Sequence, residues 1–111
     1  MAQAAPAEAE VQARLLRGWA ALRAADCARC HGRDYGGWSA PDLVAAMREG
    51  SRERFDRIVL DGEIVRGMPG YKSQEFVVSE LDAMYGYLRA RAEGVIGAGR
   101  PQGPAATRPD R

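Results

Sequence analysis

The sequence is short of the residues that would mark most functional classes. It has one histidine, two cysteines and two phenylalanines in 111 residues, and neither sign of charge prevails: 16 Lys plus Arg stand against 15 Asp plus Glu, a formal net charge of +1 at pH 7. A nucleic-acid binder would carry a basic stripe; here the signs alternate along most of the chain, the pattern of solvated helix faces. No apolar run approaches the ~20 residues needed to cross a bilayer. No charged start followed by an apolar stretch marks a signal peptide. Val and Ile are sparse and alternating runs few, so strands are disfavoured and Ala and the other aliphatics point to helix. There is no internal repeat, and the length suits one domain with a modest core, which gains much from a covalent or metal staple.

The expected organisation follows from the pattern. Residues 1–8 are polar, Ala-rich and expected to be disordered. They suit the start of a mature exported chain or an ordinary cytosolic N-terminus equally well. Residues 9–93 form the domain, and 94–111, rich in Gly and Pro, an extended tail. The first helix is expected over 7–24, with Val11, Leu15, Gly18, Trp19 and Leu22 on one stripe. Gly18 weakens that helix by ~1 kcal/mol relative to Ala, and a Gly on a buried face signals a close backbone approach. Cys27–Trp38 is a Gly-rich loop. Ser39 ahead of Ala40 and Pro41 suits a helix start, with a short helix over 42–49 ending at Gly50. Ser51 can cap the next helix, whose inner face is Phe55, Ile58 and Val59. A loop over 62–73 follows. Ser79 and Asp82 form a capping pair for a last helix over 79–92, with Leu81, Met84, Tyr85 and Leu88 inward.

The two cysteines lie too close for a useful structural disulfide, because the loop they would close is tiny. They are therefore free, redox-active or ligated. Cys27-Ala28-Arg29-Cys30-His31 is a C-x-x-C-H motif, the pattern of c-type haem attachment. Two thiols at this spacing can add across the two vinyl groups of one porphyrin edge, and the next residue then lies beneath the iron. A thioredoxin-like site would need a βαβ pattern that is missing. A structural zinc site would want four protein ligands, and two Cys and one His leave it one short.

Haem iron bound by His in electron-transfer proteins usually takes Met or His opposite. With no second His in the chain, Met is the natural partner. Met1 lies in the disordered start, Met47 in a short helix and Met84 in an apolar stripe where core packing is the better reading. Met68 precedes Pro69, which favours an extended backbone. Gly67 and Gly70 flank it and let the chain turn close to a flat cofactor.

On these residues the chain resembles the class I cytochromes c over about 11–92: a Gly-plus-aromatic first helix, C-x-x-C-H, a Pro-x-Leu step, a Gly-Met-Pro loop and a closing helix with Tyr-Leu. The resemblance implies an all-α cytochrome c fold, about four short helices around one covalent haem c. It also implies that the Pro41 carbonyl accepts the Nδ1–H of His31, that Leu43 packs on the haem, and that Gly18 lets the first helix cross the last near Tyr87 and Leu88. His31 and Met68 would bind the iron. Arg66, Trp38 and Tyr35 are candidates to contact the propionates. Only residues 32–67 lie between His31 and Met68, short for the family, and Leu22 or Trp19 replaces the usual aromatic ahead of the first Cys.

The segments Arg66-Gly-Met-Pro-Gly-Tyr, 84–94 and Gly97-Ala-Gly-Arg-Pro resemble the periplasmic cytochromes that accept electrons from PQQ-dependent alcohol dehydrogenases. This implies a soluble, monomeric periplasmic electron carrier and not an enzyme. A quinoprotein alcohol dehydrogenase is the expected donor and an oxidase or another cytochrome the acceptor, with neither nucleic acid nor a membrane anchor involved. A haem enzyme or gas sensor is the alternative. It would need a labile sixth ligand, and Met68 argues against that.

Overall fold

The computed structural model describes residues 6–102. Among them are five α-helices: α1 (Pro6–Ala24), α2 (Ala28–His31), α3 (Leu43–Glu49), α4 (Arg52–Asp61) and α5 (Glu75–Ala92), with a 3₁₀ turn at Ile64–Arg66 between the last two. The only extended pairing among the described residues is an isolated antiparallel bridge between Glu63 and Met68. The helix beyond the expected four is the single turn α2, too short for any periodicity to announce it.

α1 and α5 form the frame. They cross at Gly18, where a Cβ would lie 2.7 Å from the Ala83 carbonyl carbon and 3.1 Å from the Tyr87 Cβ. Leu15, Gly18 and Leu22 of the expected stripe are buried, with Ala21 beside them; Trp19 is half-buried, and Val11, beyond the crossing, is 55% exposed. Leu22, Tyr35, Val77, Met84, Tyr87 and Leu88 are the largest fully buried side chains. Tyr35 and Tyr87 meet edge-to-face with centroids 6.3 Å apart, a favoured aromatic geometry. At the surface, Arg52 joins Asp56 and Asp82 at 2.7 Å each, and Arg14 also pairs with Asp82.

Three boundaries differ from the sequence expectation. α1 begins at Pro6, within the segment expected to precede it; residues 1–5 lie outside the described residues. α5 begins at Glu75, one turn before the expected Ser79. Ser79 caps nothing, since its hydroxyl donates to the Phe76 carbonyl at 3.2 Å within the helix. The earlier start has a packing cause: Val77, in the added turn, is fully buried. α3 begins after Pro41, and its cap is Asp42, whose Oδ1 accepts the Ala45 N–H at 2.9 Å. Ser51 caps α4 as expected, accepting the Arg54 N–H at 3.0 Å.

Beyond α5 the chain turns back on the helices. The Tyr87 hydroxyl donates to the Gly99 carbonyl at 2.8 Å, Ile96 rests on the core, and the Arg100 guanidinium lies 6.0 Å from the Trp19 ring centroid. Residues 103–111 of the expected tail lie outside the described residues.

Candidate haem site

The site begins where α1 stops. Asp26 takes φ 66, a left-handed conformation that Asp tolerates better than most residues. The turn lets the Cys27 N–H reach the Leu22 carbonyl at 3.2 Å. One helical turn later Cys30 and His31 follow, the His31 N–H donating to the Cys27 carbonyl at 3.0 Å. Gly32, at φ 94, then reverses the chain; a Cβ there would lie 2.8 Å from the Gly37 carbonyl oxygen. The reversal is fastened by Gly37 N–H to the His31 carbonyl at 2.7 Å and Ala40 N–H to the Cys30 carbonyl at 2.9 Å.

This closed loop brings the Pro41 carbonyl to 2.8 Å from His31 Nδ1. A carbonyl only accepts, so Nδ1 carries the hydrogen of this bond, and in the neutral ring the free lone pair is then on Nε2. His31 is buried. Its fixed tautomer is what a metal-binding imidazole requires.

His31, Cys27 and Met68 line one cavity of about 400 Å³, within the ~300–1,000 Å³ usual for cofactor sites. Leu22, Leu43, Met47, Phe55, Ile58, Val59, Val77, Met84 and Leu88 give it mainly apolar walls. The polar side chains on the lining are Ser39, Ser51, Arg54, Glu63, Arg66 and Tyr71. Burial pushes the Cys27 thiol up to about 11, and Asp26 beside it acts in the same direction. Cys30 is exposed, one turn from the cavity wall, and both thiols are free. Burial also raises the Tyr71 hydroxyl, with Cys27 the next cause, which places Tyr71 close to the cysteine loop.

Met68 is half-buried and enters the cavity from a segment bridged to Glu63. Met47 and Met84 also face the cavity, but from within α3 and α5, where they are 6% and 1% exposed; Met1 lies outside the described residues. Of the three residues considered for the propionates, Arg66 lines the cavity. Trp38 is 81% exposed and absent from the wall. Tyr35 is fully buried away from it, against Tyr87 and beneath Arg23, whose guanidinium carbon lies 5.6 Å from its ring centroid.

Arg54 and Tyr71 escaped the sequence reading. Among the described residues no three His, Cys, Asp or Glu side chains gather as a metal cluster, so the carboxylate a zinc site would need is not supplied.

Residues 13–88 match the protein family described as cytochrome c oxidase, cbb3-type, subunit III. Cytochrome c-555 of Methylococcus capsulatus is 30% identical over 105 residues, covering 93% of this chain and 84% of that protein. The chain belongs to the c-type cytochromes. The crystal structure of the c-type cytochrome XoxG from Methylobacterium extorquens AM1 superposes with a TM-score of 0.74 at 32% identity, over 81% of this chain. The chain spans 57% of that structure's length. The cytochrome thus carries one covalently bound haem c, and its family and fold are those of electron-transfer proteins. Its cavity fits that group: the Cys27 thiol, an oriented imidazole and a thioether donor share mainly apolar walls, with the free Cys30 thiol exposed three residues from Cys27. No helix among the described residues is long and apolar enough to cross a membrane.

Proposed function

We propose that this cytochrome is a soluble, monomeric periplasmic shuttle in which Cys27 and Cys30 hold the haem by thioethers and His31 and Met68 are its axial ligands. The observation that carries this reading is the 2.8 Å bond from His31 Nδ1 to the Pro41 carbonyl, made by a histidine that shares one apolar cavity with Cys27 and Met68. Bound haem c supplies a one-electron ferric/ferrous couple. Every other part of the task falls to the chain. The Pro41 carbonyl holds the His31 ring in one tautomer and orientation. Leu43, Phe55, Val59 and Leu88 exclude water and leave little to reorganise when charge changes. Arg66 offers a cation to the propionate edge. Met68 fills the sixth position, which suits electron transfer and opposes substrate or gas binding; thioether sulfur and apolar walls also raise the potential relative to two nitrogen ligands.

The donor we propose is a PQQ-dependent alcohol dehydrogenase, and the acceptor an oxidase or another cytochrome. This rests on the Arg66–Tyr71 segment and the Gly/Pro-containing stretch after α5. Contact with such partners would be brief and small in area.

The test is an oxidised and reduced absorbance spectrum of holoprotein made with the haem-attachment machinery, followed by mixing with a quinoprotein alcohol dehydrogenase and its alcohol. Sharp reduced α and β bands with a weak far-red ferric band are expected, the last vanishing in Met68→Ala. Haem bands without the far-red feature would remove Met68 as ligand and revive the sensor or enzyme reading. A ferric protein that no such dehydrogenase reduces would remove the proposed donor.

A further inference from the structure

The segment that presents Met68 is held almost entirely by backbone. Residues 62–72 double back along the end of α4. The Glu63 N–H donates to the Met68 carbonyl at 2.9 Å and the Met68 N–H to the Glu63 carbonyl at 3.1 Å. The Tyr71 N–H then donates to the Val59 carbonyl at 2.9 Å and the Lys72 N–H to the Leu60 carbonyl at 3.1 Å. One side chain contributes, Tyr71, which packs against the core and whose hydroxyl donates to the Ala25 carbonyl at 3.5 Å; the others add little, since Ile64 is 70% exposed, Val65 fully so, and the Lys72–Asp61 pair at 3.5 Å is a surface contact of small worth.

The two runs of chain meet at two glycines. A Cβ on Gly62 would stand 2.6 Å from the Gly70 nitrogen and 2.7 Å from the Met68 carbonyl oxygen. A Cβ on Gly70 would stand 2.6 Å from the Leu60 carbonyl oxygen and 2.7 Å from the Asp61 carbonyl carbon. Every obstacle is backbone, so none can swing aside. Gly62 also sits at φ 80, ψ −179, a region essentially restricted to glycine. Gly70 has no positive φ, so contact alone forbids a side chain there. Gly67 is the reverse case: φ is 91, but a Cβ would meet nothing within 4 Å.

We infer that Gly62 and Gly70 are paired positioning residues for the sixth iron ligand: the backbone seam they permit fixes where Met68 enters the cavity and keeps that position filled. The inference rests on Met68 being that ligand. A side chain at either glycine pushes the seam apart, and Tyr71, anchored three residues beyond Met68, does not by itself fix where Met68 enters.

The experiment uses ferric and ferrous holoprotein of the wild type and of Gly62→Ala, Gly70→Ala, Gly67→Ala and Met68→Ala. Gly62→Ala and Gly70→Ala should lose most of the far-red ferric band, and their ferrous forms should bind carbon monoxide at least about tenfold more tightly than the wild type. Gly67→Ala should keep the band and exclude carbon monoxide although its φ is positive, because a Cβ there meets no backbone. A Gly70→Ala protein with the full band and no carbon monoxide binding, beside a Met68→Ala protein without the band, overturns the seam and leaves the ligand standing. Equal loss in Gly67→Ala overturns it too, since a Cβ that meets no backbone would then displace Met68 as well as one that does. A band that survives in Met68→Ala overturns the ligand and the seam together. Should the glycine variants not fold, amide exchange on the wild-type protein decides: Tyr71 and Lys72 amides protected as strongly as those of α4 support the seam, and rapid exchange overturns it.

Discussion

At the crossing of α1 and α5, an ordinarily stabilising change should be harmful. Replacing a helical glycine by alanine normally gains ~1 kcal/mol from backbone propensity. At Gly18 the new Cβ would fall on the Ala83 carbonyl, 2.7 Å from its carbon and 3.1 Å from the Tyr87 Cβ, where unstrained carbons stand ~3.5–4.0 Å apart. The helices must therefore separate by about 1 Å, and a radial gap of that size forfeits a quarter to a half of each dispersion contact along the seam. Leu22, Met84, Tyr87 and Leu88, all 2% exposed or less, are the side chains whose packing pays. Overpacking of this kind costs about 1–3 kcal/mol and occasionally more. With contacts on helix backbone the upper end applies, leaving a net loss of about 2 kcal/mol after the propensity gain. Gly86 is the internal control: it lies in α5, and a Cβ there meets nothing within 4 Å, so Gly86→Ala should gain ~0.5–1 kcal/mol. Denaturant unfolding of the holoprotein followed by far-UV circular dichroism measures both. A Gly18→Ala protein as stable as the wild type, or shifted upward like Gly86→Ala, would refute the close crossing.

Other expectations concern the core and its titration. Met84→Ala should lose about 2–5 kcal/mol, the cost of a core cavity, yet keep the far-red ferric band, which separates a packing methionine from a ligating one by unfolding and spectrum on one sample. Burial raises the Tyr35 hydroxyl from 10.0 to about 12. The folded state therefore holds that proton more tightly than the unfolded chain. Its share of stability is complete below about pH 10 and is lost as pH rises towards 12, by about 2–3 kcal/mol. Unfolding midpoints across that range should fall less steeply in Tyr35→Phe, which should cost little at neutral pH because this hydroxyl has no hydrogen-bond partner among the described residues. Tyr87→Phe removes the bond to the Gly99 carbonyl and should cost about 1 kcal/mol, together with faster proteolysis after α5.

How far the sequence alone could reach depended on the range of the interactions involved. Gly18 was legible because a glycine in an apolar stripe means close approach whatever the partner; that Ala83 is the first atom met required the crossing angle. Ser51 was legible because a cap bonds three residues away. The start of α5 was misplaced because Ser79 and Asp82 satisfy the same local rule, while Val77, two residues ahead of that pair, draws the extra turn in by burial against distant residues. Tyr35 was a candidate for propionate contact on the family resemblance. In the fold its φ of 66 turns it inward, beneath Arg23 and against Tyr87 from the far end of the chain.

The same distinction bears on the four methionines. Composition cannot separate them, and in the fold three of them, Met47, Met68 and Met84, face one cavity. What separates them is how much each would have to give up to serve as a ligand. Met47 and Met84 sit on helices and fill core volume, so moving either sulfur towards iron would open a void behind it. Met68 is half-buried on a segment whose place is set by backbone bonds to α4 and by two glycines, so its side chain owes little to the core. The local signals, Pro69 after it and glycines on either side, mark a residue free of helix and close to another chain. They indicate its availability as a donor, and the fold supplies the reason its two competitors lack it.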